Sequence, residues 1–355
     1  MQIRCDGVTR QMSENLSGTF TTPNKFLTKF LGGISRDSMS FVQELSTFLT
    51  LNESRPRILG VKIFQNANLI RFLSVVSLIR GRPLRITTRS DYYFNPQPGI
   101  FFSTDSINLI RLHDCFPETN PEWFKPWARQ IFRNFLKYSS GKDVYWICNS
   151  EYTMSEARKL GLAPDRLTLK YCEVPSFVNC TLCGECKACT NSEIQLPFLL
   201  AVGTLEPRKN YQKLVAAFLT PELKSKNLVI VGRYGWKSHG ALRLMNNSES
   251  RNIHYLGQVC DGSLVELYKA SEAFVSASLD EGFNIPAMEA RTFGAKLILS
   301  DTQVHRELHK GATFFDPVDV DSILSAVQKG GTKLQEQINL PQSSISSIIY
   351  NGRRR

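Results

Sequence analysis

A chain of 355 residues with 42% hydrophobic and 21% charged content has the ordinary make-up of a soluble protein of two or three domains, with ample material for large cores. Its formal net charge of +11 favours anionic partners such as nucleotide diphosphates, phospholipid headgroups or lipid-linked diphosphates. No RNA-binding signature or helix-turn-helix pattern accompanies that charge, so nucleic acid is not expected among the partners. Residues Met1 to Asp6 lack the apolar stretch of a signal peptide. The most hydrophobic span, Phe72 to Ile79, is enclosed by Arg71 and Arg80 and is too short to cross a bilayer. A cytoplasmic protein is expected, in contact with a membrane only peripherally.

The first recognisable feature is Gly32-Gly33-Ile34-Ser35-Arg36, followed by Ser38 to Leu49, an amphipathic helical pattern with Phe41, Leu45, Phe48 and Leu49 on related faces. A glycine pair before a helix can bring backbone amides, here at Gly33, to a phosphate, and it can equally form a tight turn. Residues 55–97 alternate apolar pieces with basic and turn residues and yield no clear order. Ser106 to Leu112 then reads as a strand ending in His113-Asp114. Ligands of open α/β sheets bind at the carboxyl ends of strands, which makes His113 a candidate, although a lone histidine is more often structural. Pro126 to Tyr138 predicts a helix, with Trp127, Ile131 and Phe135 at spacings of four. Its Arg129, Arg133 and Lys137 form a basic stripe, either a solvated face or a membrane-contacting one. Val144 to Cys148 reads as a strand, and Asn149 or Ser150 as the N-cap of a helix through Leu160.

Cys180, Cys183, Cys186 and Cys189 place four thiols in ten residues, out of nine cysteines in the chain. An odd total in a chain of cytosolic character argues against a disulfide framework. Thiolates at this density suit a structural zinc or iron–sulfur cluster, and free thiols on a loop are the alternative.

From Leu196 onward strand-like runs occur at Phe198–Val202, Leu228–Val231, Ile253–Leu256, Ala273–Ser276, Leu297–Leu299 and Thr313–Phe315, with helical stretches between most of them. That alternation implies a parallel sheet covered on both faces. Ser263-Leu264-Val265-Glu266 reads as a capping box for a helix over Leu264 to Ala270. The first run ends in Gly203-Thr204-Leu205-Glu206-Pro207-Arg208-Lys209-Asn210, where adjacent cations are placed to neutralise a diphosphate. The fourth leads into Ser278-Leu279-Asp280-Glu281-Gly282-Phe283-Asn284-Ile285-Pro286, where Pro286 fits the first helical position and Gly282 permits close approach of a ligand. Glu281 and Glu289 frame this turn, and an ionised carboxylate accepts from pairs of sugar or ribose hydroxyls. In isolation each motif also has a bland reading, as a solvated loop or an acidic turn set against a helix dipole.

Taken together these motifs resemble the family-4 retaining glycosyltransferases. Glu281 and Glu289, with seven residues between them around Gly282-Phe283 and Pro286, are similar to the family's E-x7-E signature. The octet from Gly203 resembles the donor-phosphate loop of mannosyltransferase-like members. Val231-Gly232-Arg233-Tyr234-Gly235-Trp236 resembles the next donor loop, close to the base. Asp6-Gly7 with Gly32 to Arg36, His113 with Phe116 to Phe124, Asn149-Ser150-Glu151, Ser300-Asp301, His305 to Leu308 and Phe315-Asp316-Pro317 extend the likeness. The sequence departs from the pattern in Thr204, where many relatives carry Arg, in Asn284, where they usually carry Gly, in the long Ser13–Leu31 segment, and in the final stretch.

The resemblance implies the GT-B architecture, two Rossmann-like α/β domains facing across a cleft. Residues 1–190 would form the acceptor-side domain, with the cysteine cluster near the linker. Residues 191–335 would bind the donor, and 336–355 would be a tail. It further implies sugar transfer from a nucleotide donor, GDP-mannose first and a UDP-sugar second, to a growing polysaccharide or lipid-linked glycan. No catalytic metal is required in this family. Arg208 and Lys209 would stabilise the leaving diphosphate. His113 and Glu281 would be the catalytic residues, orienting the donor sugar with Gly282, Phe283 and Asn284, while Gly33 would face the donor and Glu289 would hold the ribose. Two other readings stay open: a non-catalytic glycosyltransferase-like scaffold, and a metal-dependent regulatory or nucleic-acid-binding protein built on the cysteines and the positive charge.

Overall fold

A computed structural model describes residues 19–21, 50–51, 57–58, 61–62, 67–88, 90–140, 142–173, 196–246, 251–335 and 340. They fall into two compact units, one within Met1–Glu173 that also takes in Leu340, the other within Val174–Asn339.

The main sheet of the first unit contains β1 (Thr19–Thr21), β2 (Thr50–Leu51), β3 (Tyr92–Asn95), β4 (Ile107–Leu112), β5 (Val144–Cys148) and β6 (Leu167–Leu169). Their order is β6-β5-β4-β3-β1-β2, and every pairing is parallel. Parallel strands need crossovers and are covered on both faces, so they read as continuous apolar runs. Val144 to Cys148 is such a run, and all five residues are buried. Helix α1 (Ala67–Arg80) crosses the stretch that gave no order in the sequence. Among the described residues no helix is long and apolar enough to cross a membrane. Helix α2 (Pro126–Ser139) starts on proline, whose missing N–H is not needed there. It buries Phe132 and Phe135, with the Phe135 ring set edge-on to Trp146 at 6.0 Å. Of the row anticipated from Trp127, Ile131 and Phe135, burial increases along the helix: Trp127 is 55% exposed, Ile131 is half-buried and Phe135 is fully buried. Within the basic stripe, Arg133 pairs with Glu118 at 2.9 Å. Helix α3 (Glu151–Lys159) is capped by Ser150, whose hydroxyl accepts from the Thr153 amide at 3.0 Å.

In the second unit the sheet comprises β7 (Phe198–Val202), β8 (Asn227–Val231), β9 (Ile253–Gly257), β10 (Ala273–Ser276), β11 (Lys296–Ser300) and β12 (Thr313–Phe315). The order is β9-β8-β7-β10-β11-β12, again parallel throughout. Side chains alternate between two cores, as the two-residue period of a strand requires. Leu199, Ala201, Leu228, Ile230 and Val275 pack on the side of α4 (Tyr211–Phe218), with Ile323 and Val327 from a later helix. Phe198, Leu200, Val229, Phe274 and Leu299 pack on the other side against Leu264, Leu267 and Ala287. Leu264 and Leu267 belong to α5 (Asp261–Ala270), and Ala287 to α6 (Ile285–Thr292). Helix α5 begins earlier than the capping box suggested. Its N-cap is Cys260, whose sulfur accepts from the Ser263 amide at 3.4 Å, and Ser263 is buried in the first turn. Helices α7 (Gln303–Leu308) and α8 (Val320–Lys329) complete the unit.

Candidate active site

The order of the second sheet is that of a doubly wound nucleotide-binding fold, three strands running one way from β7 and three the other way from β10. The chain leaves β7 and β10 in opposite directions, which opens a crevice at their carboxyl ends where ligands of such sheets bind. Both loops singled out by their charges begin there, Gly203–Asn210 after β7 and Ala277–Asn284 after β10.

These two loops are tied by backbone and by charge. The Leu279 amide donates to the Arg208 carbonyl at 2.8 Å. Arg208 Nη1 donates to the Asp280 carbonyl at 3.0 Å and to Glu281 Oε2, while its Nη2 donates to Glu206 Oε1 at 3.0 Å. Lys209 Nζ binds the other oxygen of Glu281, which also accepts from Ser278 Oγ at 2.7 Å. Glu281 is only 4% exposed. Burial alone would raise its carboxyl pKa, but the Arg208 and Lys209 charges and the hydrogen bonds from Lys209 and Ser278 outweigh burial and hold it far below the usual carboxylate range. Two carboxylates and two cations are thereby compensated within one small volume. Lys209 carries three N–H donors, of which the contact with Glu281 uses one.

The neighbouring loop, after β8, packs on the first. Gly203 N–H donates to the Val231 carbonyl at 2.9 Å, Leu205 N–H to Arg233 at 3.0 Å, and Gly235 N–H back to Leu205 at 3.0 Å. A β-carbon at Gly232 would lie 1.9 Å from the Gly203 carbonyl oxygen, so only glycine fits. Tyr255 anchors this loop by donating to the Gly232 carbonyl at 2.6 Å. The Tyr234 ring lies 5.2 Å from that of Tyr255 and is 61% exposed.

After Glu281 the turn buries Gly282, Phe283 and Asn284. Asn284 adopts φ 66° and ψ 65°, the left-handed region, and is the N-cap of α6, so Pro286 falls one residue inside the helix. Asparagine tolerates this conformation better than most residues, which explains how it can stand where glycine is usual. Glu289 is in α6 and 1% exposed, with Oε2 accepting from the Tyr268 hydroxyl at 2.8 Å. The two carboxylates framing the turn therefore occupy different surroundings, one ionic and one lined by a tyrosine.

His113 belongs to the first unit, directly after β4, with Nε2 2.9 Å from the Pro96 carbonyl oxygen. Its own carbonyl accepts from Asn149 Nδ2 at 2.9 Å. Gly33 and the cysteines Cys180, Cys183, Cys186 and Cys189 lie outside the described residues, as does the helix expected over Ser38 to Leu49. Sequence reasoning did not single out Glu206, Ser278 or Tyr268. The first two stand within the motifs that were recognised, and spacing alone could have suggested Glu206 beside Arg208. Tyr268 reaches Glu289 only through the packing of α5 on α6.

Comparison with known proteins agrees with this geometry. Residues 190–330 match the sequence profile of the family described as glycosyl transferases group 1. The serotype-specific mannosyltransferase WbdA of Escherichia coli is 28% identical over 249 residues, 65% of this chain and 30% of WbdA. The O-antigen chain mannosyltransferase B of Escherichia coli is 33% identical over 131 residues, 36% of this chain and 34% of that protein. The chain thus spans about a third of the length of these curated relatives. Sucrose-phosphate synthase from Thermosynechococcus elongatus superimposes with a TM-score of 0.61 at 15% identity, over 95% of this chain and 93% of its own. That likeness is one of fold, the GT-B fold. The paired loops at the switch point thus lie within the stretch of the second unit, residues 190–330, that matches the glycosyl transferases group 1 family.

Proposed function

We propose that this protein transfers a sugar from a nucleotide donor to a growing polysaccharide or lipid-linked glycan, with retention of anomeric configuration. The observation that carries the reading is the Arg208–Lys209–Glu281 cluster at the carboxyl ends of β7 and β10, where an open α/β sheet binds ligands. In the reaction the bond from the anomeric carbon to the diphosphate oxygen breaks, and the electron pair leaves on the diphosphate beside Arg208 and Lys209. Fixed cations in a partly buried site stabilise that developing charge without reorganising. The acceptor hydroxyl oxygen bonds to the anomeric carbon on the same face of the sugar, and its proton passes to the departing diphosphate oxygen. No side chain is assigned as a covalent nucleophile. Glu281, held ionised by its partners, accepts from hydroxyls of the donor sugar, the Gly282–Asn284 amides donate to the sugar's oxygens, and His113 helps orient the sugar. Tyr234 is the exposed ring against which the base rests. Glu289, oriented by Tyr268, is the ribose carboxylate.

GDP-mannose is the leading donor because both curated relatives described above are mannosyltransferases, and a UDP-sugar is the second choice. Catalysis needs no metal in this reading. Contact with a lipid surface suits the lipid-linked acceptor. Helix α1 exposes Phe72, Val75 and Ile79 at helical spacing, beside exposed Arg80 and Arg82, and an apolar row flanked by cations suits an anionic interface. A thermal-shift panel of GDP, UDP, ADP and their sugars tests the function, since a ligand that binds only the folded state raises the melting temperature. GDP and GDP-mannose should raise it selectively, and the mannosylated product should be the α-anomer. A panel with no shift would instead support the scaffold reading.

A further inference from the structure

Asn284 is the one non-glycine residue of the donor turn held at positive φ, and its side chain shows how that conformation is kept. Its Nδ2 donates to Ser276 Oγ at 3.1 Å and is 2.8 Å from His305 Nε2. Both amide hydrogens are thus engaged, while Oδ1 is buried without a partner. His305, on α7, is fully buried. Its Nδ1 lies 2.8 Å from the Ser300 carbonyl oxygen. A carbonyl only accepts, so the proton is on Nδ1 and the bare Nε2 accepts from Asn284. Burial lowers the His305 pKa against the opposing pull of the Ser300 hydrogen bond and of the Glu281 and Asp301 charges, with Lys209 acting in the same direction as burial. The imidazole is therefore neutral. His309, also buried, packs its ring at 6.3 Å. A second path leads from the same strand end to the site: Ser300 Oγ donates to the Ser278 carbonyl at 2.6 Å, and Ser278 Oγ donates to Glu281.

We infer that His305 is a positioning residue for the donor site, which through Nε2 fixes the Asn284 amide and so holds that residue, the end of the Glu281–Asn284 turn, in its left-handed conformation. The inference rests on the glycosyltransferase reading for its catalytic consequence, but the lock is a property of the folded protein. It predicts that a residue able to accept at the Nε2 position preserves the turn, and that glycine at 284, which needs no lock, makes residue 305 irrelevant to it.

Two conservative variants separate the roles of the ring nitrogens. Gln at 305 (H305Q) keeps an acceptor toward Asn284, whereas Asn (H305N) keeps only a short donor toward Ser300. Hydrogen exchange across residues 282–292 should be faster in H305N than in the wild type and close to wild type in H305Q. With a sugar nucleotide that the wild type turns over, H305N should lose about 10- to 100-fold in kcat/KM, chiefly in kcat, because misplacement of a positioning group costs that much. H305Q should recover most of the loss. Adding H305N to N284G should cost nothing further, since residues that act through one another are not additive. Equal exchange in H305N and wild type, an H305Q as impaired as H305N, or an undiminished H305N effect in the N284G background would each overturn the inference. If the wild type binds and turns over no sugar nucleotide while the exchange pattern holds, the lock stands and the transferase reading fails.

Discussion

The carboxyl edges of the two main sheets are built from different interactions. At the second, charged side chains bind one another: Arg208 and Lys209 converge on Glu281, with Glu206 on the far side of the guanidinium. At the first, the polar side chains lean on the backbone. Asn149 donates to the His113 carbonyl, His113 Nε2 meets Pro96, and the buried Arg111 donates to the Lys170 carbonyl at 2.7 Å. A carbonyl partner fixes the position of a side chain through a dipole. A cluster of paired ions keeps its members charged and preorganised while leaving donors of Lys209 for an anion. The same parallel architecture thus presents an edge of paired ions in one unit and an edge of side chain-to-backbone hydrogen bonds in the other.

The largest effects should follow from removing a member of the ionic edge. Lys209→Ala or Glu281→Ala should lower transfer from GDP-mannose by about 100- to 1000-fold in steady-state kinetics, the usual cost of a lost electrostatic stabiliser. Full activity in either folded variant would remove that residue from the mechanism. His113→Ala, at the other edge, should lower transfer about 100-fold yet leave GDP affinity unchanged in calorimetry. A matching loss of GDP affinity would erase the division between the two units.

Acid titration sharpens the contrast further. The Glu281 pKa is depressed on folding, so its contribution to stability is fully present above the ordinary carboxylate range and is lost as the pH falls toward the folded value. The difference in unfolding free energy between wild type and Glu281→Gln should therefore shrink as the pH drops below about 4. A constant difference would show that Glu281 gains nothing from its partners. The smallest effect is expected at the first edge, where Ser150→Ala removes the α3 cap and should cost about 1 kcal/mol in urea unfolding without changing nucleotide binding.

Much of this was legible in the chain because the second sheet is buried on both faces. Phe198–Val202, Ala273–Ser276 and Thr313–Phe315 are unbroken apolar or β-branched runs with turn residues after them, and their ends agree with the structure. The loop motifs could be read because the chemistry of each, adjacent cations or framed carboxylates, is local. What could not be read depends on contacts between distant segments. Cys260 displaced Ser263 as the cap of α5 because the buried serine faces inward, a fact of packing. Trp127 has the right spacing but lies at the exposed start of α2, and the core is reached further along by Phe132 and Phe135. Helix α1 was hidden by arginines at Arg71 and Arg80 and by the absence of capping signals. The pairing of Asn284 with His305 joins two elements through the neighbouring ends of β10 and β11, and no sequence period reports it.

The central claim, that the second unit holds a nucleotide diphosphate through its paired cations, is tested most directly by titrating GDP into the folded wild type and Lys209→Ala by calorimetry at fixed salt. The account predicts saturable binding to the wild type and a loss of at least about tenfold in affinity in the variant, as expected for a charge-assisted hydrogen bond. Equal affinity in the two proteins, or no binding of GDP, UDP or ADP to the wild type, would contradict it.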